Sequence, residues 1–338
     1  MKTASFIFAL VTIAFAQQPT IDNAKLEAHN FSGTIASQIS QLGTGPYWVA
    51  WSEPIIAGQH NDVCSWNRGG NYYDSGRTPG APVRLEGETA LVLLVRVENG
   101  LTSELRISSP DCHLDAGGMP FYWLNNVPPA ESIAWLKAQA SARQSDTSVM
   151  SIALHRDAAA DQALDDLAAT TQPVELRKRA ATWLGTARGA HGVATLKRML
   201  ATDTNPDVRD RAVLALSQSK DPGGIPLVIE AARNDKDAHI RGQALMWLAQ
   251  RAVSQASSKT ATDTIQSAIA NDPDSAVRDR AVVALSQLPN GDGVPMLIDL
   301  AKNHRDASVR KKAMTQLGQS KDPRALDFFA QVLTPGGR

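Results

Sequence analysis

The chain has 338 residues, with 34 basic and 34 acidic side chains and a formal net charge of zero. This balance gives no general attraction to nucleic acid or to an anionic membrane, so we expect neither as a partner. The length is sufficient for two hydrophobic cores. The chain contains two cysteines, so it can form one intrachain disulfide in one way.

The first sixteen residues have the pattern of a secretory signal. A positive start, Met1-Lys2, precedes an apolar run over residues 6–16 that ends in the small-x-small sequence Ala14-Phe15-Ala16. The run is about half of the roughly 20 residues needed to span a bilayer. We therefore expect residues 1–16 to be removed, leaving a secreted or periplasmic protein without stable membrane insertion.

Residues 17–143 are predicted to form a small α+β domain. Helices are expected over 20–42 and 129–142, and the Gly-rich stretch 67–82 is expected to be a loop. Strands are expected at 47–51, 90–97 and 103–108, which are rich in β-branched and aromatic residues. Asn99-Gly100 lies between the last two, and this dipeptide favours a hairpin turn because both residues accept positive φ.

The two cysteines of this domain, Cys64 and Cys112, are predicted to form a disulfide. In an oxidising compartment an even pair usually becomes oxidised. The alternative is a metal or catalytic site built with polar residues nearby in sequence, in which a His and a carboxylate act together. Those residues are His60, Asp62, His113 and Asp115.

Residues 147–338 contain a repeat. An aligned apolar-Arg pair returns at Arg177, Arg209, Arg241, Arg278 and Arg310, with steps of 32, 32, 37 and 32 residues. The long step contains the polar insert 253–259. A fixed period of this size indicates stacked structural repeats, in which each unit packs against its neighbours.

Each repeat is predicted to be a helix pair, helix A followed by helix B, with the aligned Arg in helix B. Apolar residues after the aligned position recur at spacings of 4, 7 and 8, which places them on one helical face. Residues 149–155 are expected to be a lone B helix and 325–333 a closing A helix. The expected N-caps of the B helices are Asn205, Asp237, Asp274 and Asp306.

The segments 205–216 and 274–285 resemble the short bacterial HEAT repeats, including those called phycobilisome-lyase-type HEAT-like repeats. The resemblance covers about residues 147–333 and implies an α-solenoid whose B helices line a concave side that usually binds partners. It also implies a ladder in which an Asp pairs with the Arg six residues later, failing at Arg177 and Arg310, where Thr171 and His304 replace the Asp. The segments 48–54 and 111–124 make the first half similar to leader domains of secreted bacterial HEAT-repeat proteins, which adds no chemistry.

The B helices carry apolar residues opposite their core face, where polar residues are the rule. Beside them runs a row of cations and amides, and together these could grip an extended peptide. The alternatives are that neighbouring B helices cover the apolar residues and that the polar ones stay solvated. The candidate partner-binding residues are Leu214, Leu245, Met246, Val283, Arg211, Arg280, Gln218, Gln250 and Gln287.

The sequence thus predicts a mainly α fold: a HEAT-type solenoid preceded by a small disulfide-linked α+β domain. The expected function is non-enzymatic binding of a protein or peptide outside the cytoplasm, without a cofactor. The rival hypothesis is an enzyme with a catalytic or metal site near Cys64 and Cys112, or a HEAT-like lyase. The sequence leaves the oligomeric state open.

Overall fold

The computed structural model describes residues 18–59, 64–66, 72–73, 89–141, 145–251 and 255–333. The expected signal peptide and the candidate residues His60 and Asp62 lie outside these ranges. The chain forms two compact units, residues 1–163 and 164–338. Within the described ranges, no helix combines the length and apolar character that crossing a membrane requires.

The first unit contains a five-stranded mixed sheet. Its central strand β3 is parallel to β9 and antiparallel to β6, and the full order is β2-β9-β3-β6-β7. The strands are β1 (Thr20–Asp22), β2 (Lys25–Asn30), β3 (Tyr47–Pro54), β4 (Ser65–Trp66), β5 (Tyr72–Tyr73), β6 (Ala90–Glu98), β7 (Leu101–Ser108), β8 (His113–Asp115) and β9 (Pro120–Asn125).

The predicted helix over 20–42 is wrong for most of its length. Residues 20–22 and 25–30 are strands, because their backbones pair with β8 and β9 more than 85 residues later in the chain. Only α1 (Ile35–Gln41) is helical. Short β5 lies within the segment expected to be a loop. The other expected strands are confirmed, as is α2 (Pro129–Ala140).

The local turn and disulfide predictions are confirmed. Asn99 and Gly100 have φ of 54° and 72° and connect β6 directly to β7, as an Asn-Gly hairpin turn requires. Cys64 and Cys112 are bonded, with Cα atoms 5.3 Å apart. The bond joins the segment preceding β4 to the segment preceding β8, which secures parts of the unit that are distant in sequence.

Helix α3 (Ser145–Leu154) belongs to the first unit. The residue after it, His155, forms a β-bridge with Ile55, and the Ile56 amide donates to the Leu154 carbonyl at 2.8 Å. These bonds continue β3, so residues 149–155 do not act as a lone B helix of the repeat array. The compact units accordingly divide between residues 163 and 164, later in the chain than the expected boundary at 143–147.

The repeat array begins with α4 at residue 159 and is an alternation of A and B helices. The A helices are α4 (Ala159–Ala168), α6 (Gly189–Thr202), α8 (Gly224–Asn234), α10 (Gln255–Asn271), α12 (Val294–Asn303) and α14 (Pro323–Leu333). The B helices are α5 (Val174–Ala187), α7 (Pro206–Gln218), α9 (Ala238–Arg251), α11 (Ser275–Ser286) and α13 (Ala307–Gln319). Each B helix contacts the next one in the array.

The predicted helix faces and caps are confirmed. Val208, Ala212 and Leu216 have no exposed surface, as expected for one apolar face at helical spacing. The side chains of all four expected N-caps accept hydrogen bonds from backbone amides of the first helical turn. The polar insert lengthens helix A rather than a loop, since residues 255–259 form the first turns of the 17-residue α10.

The Arg ladder links successive repeats, which corrects the expected pairing within one repeat. Arg241 donates from Nε and Nη2 to both carboxylate oxygens of Asp272 in the next repeat, at 2.8 and 2.9 Å. Its Nη1 donates to the carbonyl of Asp235, six residues earlier in its own repeat, at 2.9 Å. One guanidinium therefore ties the start of its own B helix to the following repeat.

The ladder holds at its N-terminal end and weakens at its C-terminal end. Arg177 donates from Nε to Asp203 Oδ2 at 2.8 Å. Its carboxylate partner thus belongs to the following repeat, and the contact does not require an Asp at position 171. Arg278 would need an Asp at position 304, where His304 stands. The Nη2 atom of Arg278 lies instead 3.6 Å from Asp306 Oδ2.

Candidate functional site

Because consecutive B helices contact one another, residues at equivalent positions form rows that cross the helices. The row six residues after the aligned apolar residue is here called the apolar row. Its three central members, on α7, α9 and α11, are half-buried, so each presents part of its apolar surface outward. The apolar row is Thr182, Leu214, Met246, Val283 and Thr315.

Leu245, predicted to line the groove beside Met246, is not on this face. Its side chain has no exposed surface, and the equivalent Val213 and Val282 are also fully buried. Adjacent residues of an α-helix are separated by about 100° around the axis, so only one of each apolar pair can face outward. The first residue of each pair packs inside the array, and the second lies on the apolar row.

The row three residues after the aligned position, here called the cationic row, runs one helical turn away. Every member is half-buried, and four of the five are cations. Residues three apart on a helix are neighbours, so each cation lies beside a member of the apolar row. The cationic row is Arg179, Arg211, Gln243, Arg280 and Lys312.

Three of the predicted residues meet in one cavity. Met246, Val283 and Arg280 line an open cavity of about 450 Å³ between α9, α11 and α13. Gln243 and Lys312, which belong to the row of cations and amides expected from the sequence, also line it. Sequence reasoning did not place Ala276 and Asp279 in the candidate site, although they complete the lining.

Arg280 is held across the boundary between two repeats. Its Nη1 donates a hydrogen bond to Gln243 Oε1 on α9 at 2.9 Å. Gly242 makes room for its stem, since a Cβ at that position would lie 2.7 Å from Arg280 Cδ. A long, flexible side chain is thereby fixed beside the apolar lining of Met246 and Val283.

The other predicted residues lie outside this cavity. Leu214 and Arg211 are half-buried on α7, and beside them a carboxylate oxygen of Asp210 is buried without a hydrogen-bond partner in the described part of the chain. Burial raises the pKa of the Asp210 carboxyl, and the electrostatic interactions with His239 and Arg211 oppose that rise.

The glutamine row lies at the ends of the B helices. Gln218, Gln250 and Gln287 are exposed there. Gln287 lines a separate cavity of about 210 Å³ together with Gln316 and Gln319. None of these three glutamines lines the cavity that contains Met246 and Val283.

The alternative site around the cysteines does not assemble as a thiolate site. The ligand atoms of Cys64, Cys112 and Asp111 lie within 4.8 Å of one another, but both sulfurs are in the disulfide and neither is a thiolate. His113 Nε2 contacts Asp22 Oδ2, and Asp115 accepts a hydrogen bond from the Gly117 amide at 2.7 Å. The contacts of these two candidates are thus made around the paired strands β1 and β8.

A Ser-His-Glu set that sequence reasoning missed lies elsewhere in the first unit. Ser132 Oγ accepts from Trp51 Nε1 at 2.9 Å and lies 3.2 Å from His155 Nε2, which is 3.9 Å from Glu53 Oε2. Burial raises the pKa of Glu53 to about 8, against a lowering by its hydrogen bond with Ser132. The exposed fractions of Ser132, His155 and Glu53 are 0, 1 and 2%, so no substrate reaches the hydroxyl in this conformation.

Comparison with known proteins identifies the repeats. The family model for HEAT repeats matches residues 162–249 and 262–336. No curated protein sequence matches this chain.

Three solved structures are similar to part of this chain. The complex of CpcE and CpcF of phycocyanin lyase from Nostoc sp. is 22% identical, with a TM-score of 0.36, over 48% of this chain and 100% of that one. The YibA protein of Escherichia coli is 22% identical, with a TM-score of 0.36, over 60% and 69%. Human deoxyhypusine hydroxylase, in complex with glycerol, is 18% identical, with a TM-score of 0.26, over 60% and 78%.

The family match begins at residue 162, next to the start of the second compact unit, and continues to the closing helix α14. Within it, paired helices recur with buried apolar faces and an Arg ladder between repeats. The chain is a HEAT-repeat protein.

Proposed function

We propose that this protein is a non-enzymatic scaffold that binds a partner protein through an extended peptide segment laid across the B helices. The observation that carries the proposal is the cavity lined by Met246, Val283 and Arg280. An apolar floor beside fixed polar groups is the usual composition of a binding site. The site lies on rigid helices, which limits the conformational entropy lost on binding.

The enzymatic alternative has weaker support. The described Ser-His-Glu set is closed to substrate, and the two cysteines are oxidised. The cavity on the B helices holds one carboxylate, Asp279, two cations and no nucleophilic hydroxyl or thiol. This set of groups suits recognition of a ligand better than a chemical step on it.

We further propose that the protein acts outside the cytoplasm, in the periplasm or the medium. The formed disulfide supports this, because such bonds persist in oxidising compartments. In cells expressing the full chain, we expect the protein in the osmotic-shock or medium fraction, with a mature N-terminus near Gln17. Retention in the cytoplasm with residue 1 intact would contradict this location.

The binding proposal is tested by capture of partners on the immobilised protein. Met246→Asp with Val283→Asp should remove the apolar floor and abolish capture, while the melting temperature stays close to that of the wild type because both side chains are only half-buried. The matched control is Leu326→Asp on α14, where the same kind of change is made at a leucine that is 64% exposed. Capture that survives in the double variant, or is lost equally in the control, would contradict the proposal.

A further inference from the structure

We propose that the cavity between α9, α11 and α13 recognises an acidic side chain of the bound segment, with an apolar side chain beside it. This inference rests on the proposed function and specifies the chemistry of the partner. Arg280 and Lys312 on the cationic row would bind the carboxylate. Met246 and Val283 on the apolar row would contact the neighbouring apolar side chain.

The charge of the B-helix face favours an acidic partner at this end of the array. On the outward rows of α5 and α7, Glu175, Asp207 and Asp210 balance Lys178, Arg179 and Arg211. On α11 and α13, the same rows carry Arg280, Lys311 and Lys312 and one carboxylate, that of Asp279, while Asp210 on α7 also interacts electrostatically with Arg280. The positive excess is thus local to the cavity, although the net charge of the whole chain is zero.

The two cations retain donors for a ligand. Within the described part of the chain, no carboxylate or other acceptor engages Lys312. Arg280 donates from Nη1 to the neutral amide of Gln243, and a guanidinium has five N–H donors in total. An incoming carboxylate could therefore accept from Arg280 without breaking an existing ion pair, and charge-assisted bonds of this kind are stronger than neutral ones.

The distance between neighbouring B helices sets how many peptide residues separate one contacting side chain from the next. Packed helices lie about 8–10 Å apart, and an extended segment in the polyproline II conformation advances about 3.1 Å per residue, with every third side chain on the same side. Three residues of an extended segment therefore cover the step from one B helix to the next. An acidic residue at every third position would meet successive members of the cationic row, and an adjacent residue would meet the apolar row.

The test uses three synthetic 12-residue peptides and the full chain, with binding followed by fluorescence anisotropy. The peptides repeat Glu-Leu-Ser, Gln-Leu-Ser or Lys-Leu-Ser four times. We expect the Glu peptide to bind about tenfold more tightly than the Gln peptide, since two charge-assisted contacts are gained. The preference should shrink at 0.5 M salt, because screening shortens the range of exposed charges to a few ångströms.

Variants locate the contact. Arg280→Gln with Lys312→Gln should remove the preference for Glu, so that the Glu and Gln peptides bind this variant with similar affinity. The matched control, Lys220→Gln with Lys321→Gln, removes two exposed cations that lie beyond the ends of α7 and α13, and it should keep the preference. Gly242→Ala should weaken the preference without changing any charge, since its methyl group would displace Arg280.

The outcomes separate this inference from the proposed function. Equal binding of the Glu and Gln peptides, with loss of both in Met246→Asp, overturns the acidic specificity and leaves the binding face in place. Preference for the Lys peptide overturns the charge assignment. Absence of binding by all three peptides also overturns the inference, while partner capture on the intact protein still decides the proposed function.

Discussion

The two units of this protein distribute their buried polar groups in opposite ways. In the repeat array, Arg177, Arg209 and Arg241 each contact a carboxylate of the following repeat, so the same kind of buried charged contact recurs at equivalent positions. In the first unit, Glu53, Ser132 and His155 form a single buried set with no repeated counterpart. We therefore expect the unfolding free energy lost on substituting a ladder Arg to depend on the position of that Arg along the array. In the first unit, we expect the loss to depend on the individual contact that is removed.

The largest effect is expected in the middle of the ladder. Arg241→Ala would leave Asp272, whose side chain is 5% exposed, without its bidentate partner. Removing one member of a buried pair costs about 3–5 kcal/mol. The control is Arg278→Ala, where the pair is longer and both side chains are partly exposed, so the loss should be about 1 kcal/mol or less. Equal losses of unfolding free energy in urea titrations would contradict the inter-repeat ladder.

The disulfide should stabilise the first unit alone. Cys64→Ser with Cys112→Ser opens a loop closed across 48 positions, which corresponds to about 4 kcal/mol on the chain-entropy estimate. Five of the seven tryptophans precede residue 164, so fluorescence reports mainly on that unit. The fluorescence transition should move to lower denaturant, while the helical signal at 222 nm keeps its main transition. A common shift of both signals would show that the units do not unfold separately.

The buried carboxyl should give the first unit a pH-dependent stability. The pKa of Glu53 is raised from 4.5 to about 8, so the folded state favours the protonated form. The unfolding free energy should therefore fall as the pH rises from about 4.5 to about 8, by at most about 1.4 kcal/mol per pH unit. His155 and Asp157 are the titratable groups facing Glu53 and must be present in both proteins compared.

Glu53→Gln should flatten this pH profile, since the amide keeps the shape and does not ionise. The matched control is Glu98→Gln on the neighbouring strand β6, where the carboxylate is 41% exposed and paired with Arg96. A profile that keeps its slope in Glu53→Gln would mean that Glu53 is not the group responsible.

Repetition explains how much the sequence revealed. The period, the helix faces and the N-caps such as Asn205 recur, so each was visible several times and the structure agrees with them. The direction of the ladder was not visible, because Asp203 is close to Arg209 in sequence, whereas Asp235 approaches Arg209 only through the packing of successive repeats. The sequence also did not show which of Leu245 and Met246 faces outward, since the two residues are adjacent and both are apolar.

The first unit was predicted where its structure is local. The Asn99-Gly100 hairpin and α2 depend on neighbouring residues, and both are present. Strand β2 depends on pairing with β9, about 95 residues later, and its sequence alone resembled a helix. Ser132 and His155 come together only through packing of α2 and α3, so no sequence motif indicated that they form a buried set with Glu53.

The central claim is that a partner segment lies on the apolar row of the B helices. The most direct measurement is site-specific photo-crosslinking of the intact protein with its captured partner, using a photoreactive residue in place of Met246 and, separately, in place of Leu326. The account predicts an adduct from position 246 that is absent from position 326 and is lost when Val283→Asp is added. Adducts from position 326 alone, or an adduct from position 246 that persists with Val283→Asp, would contradict it.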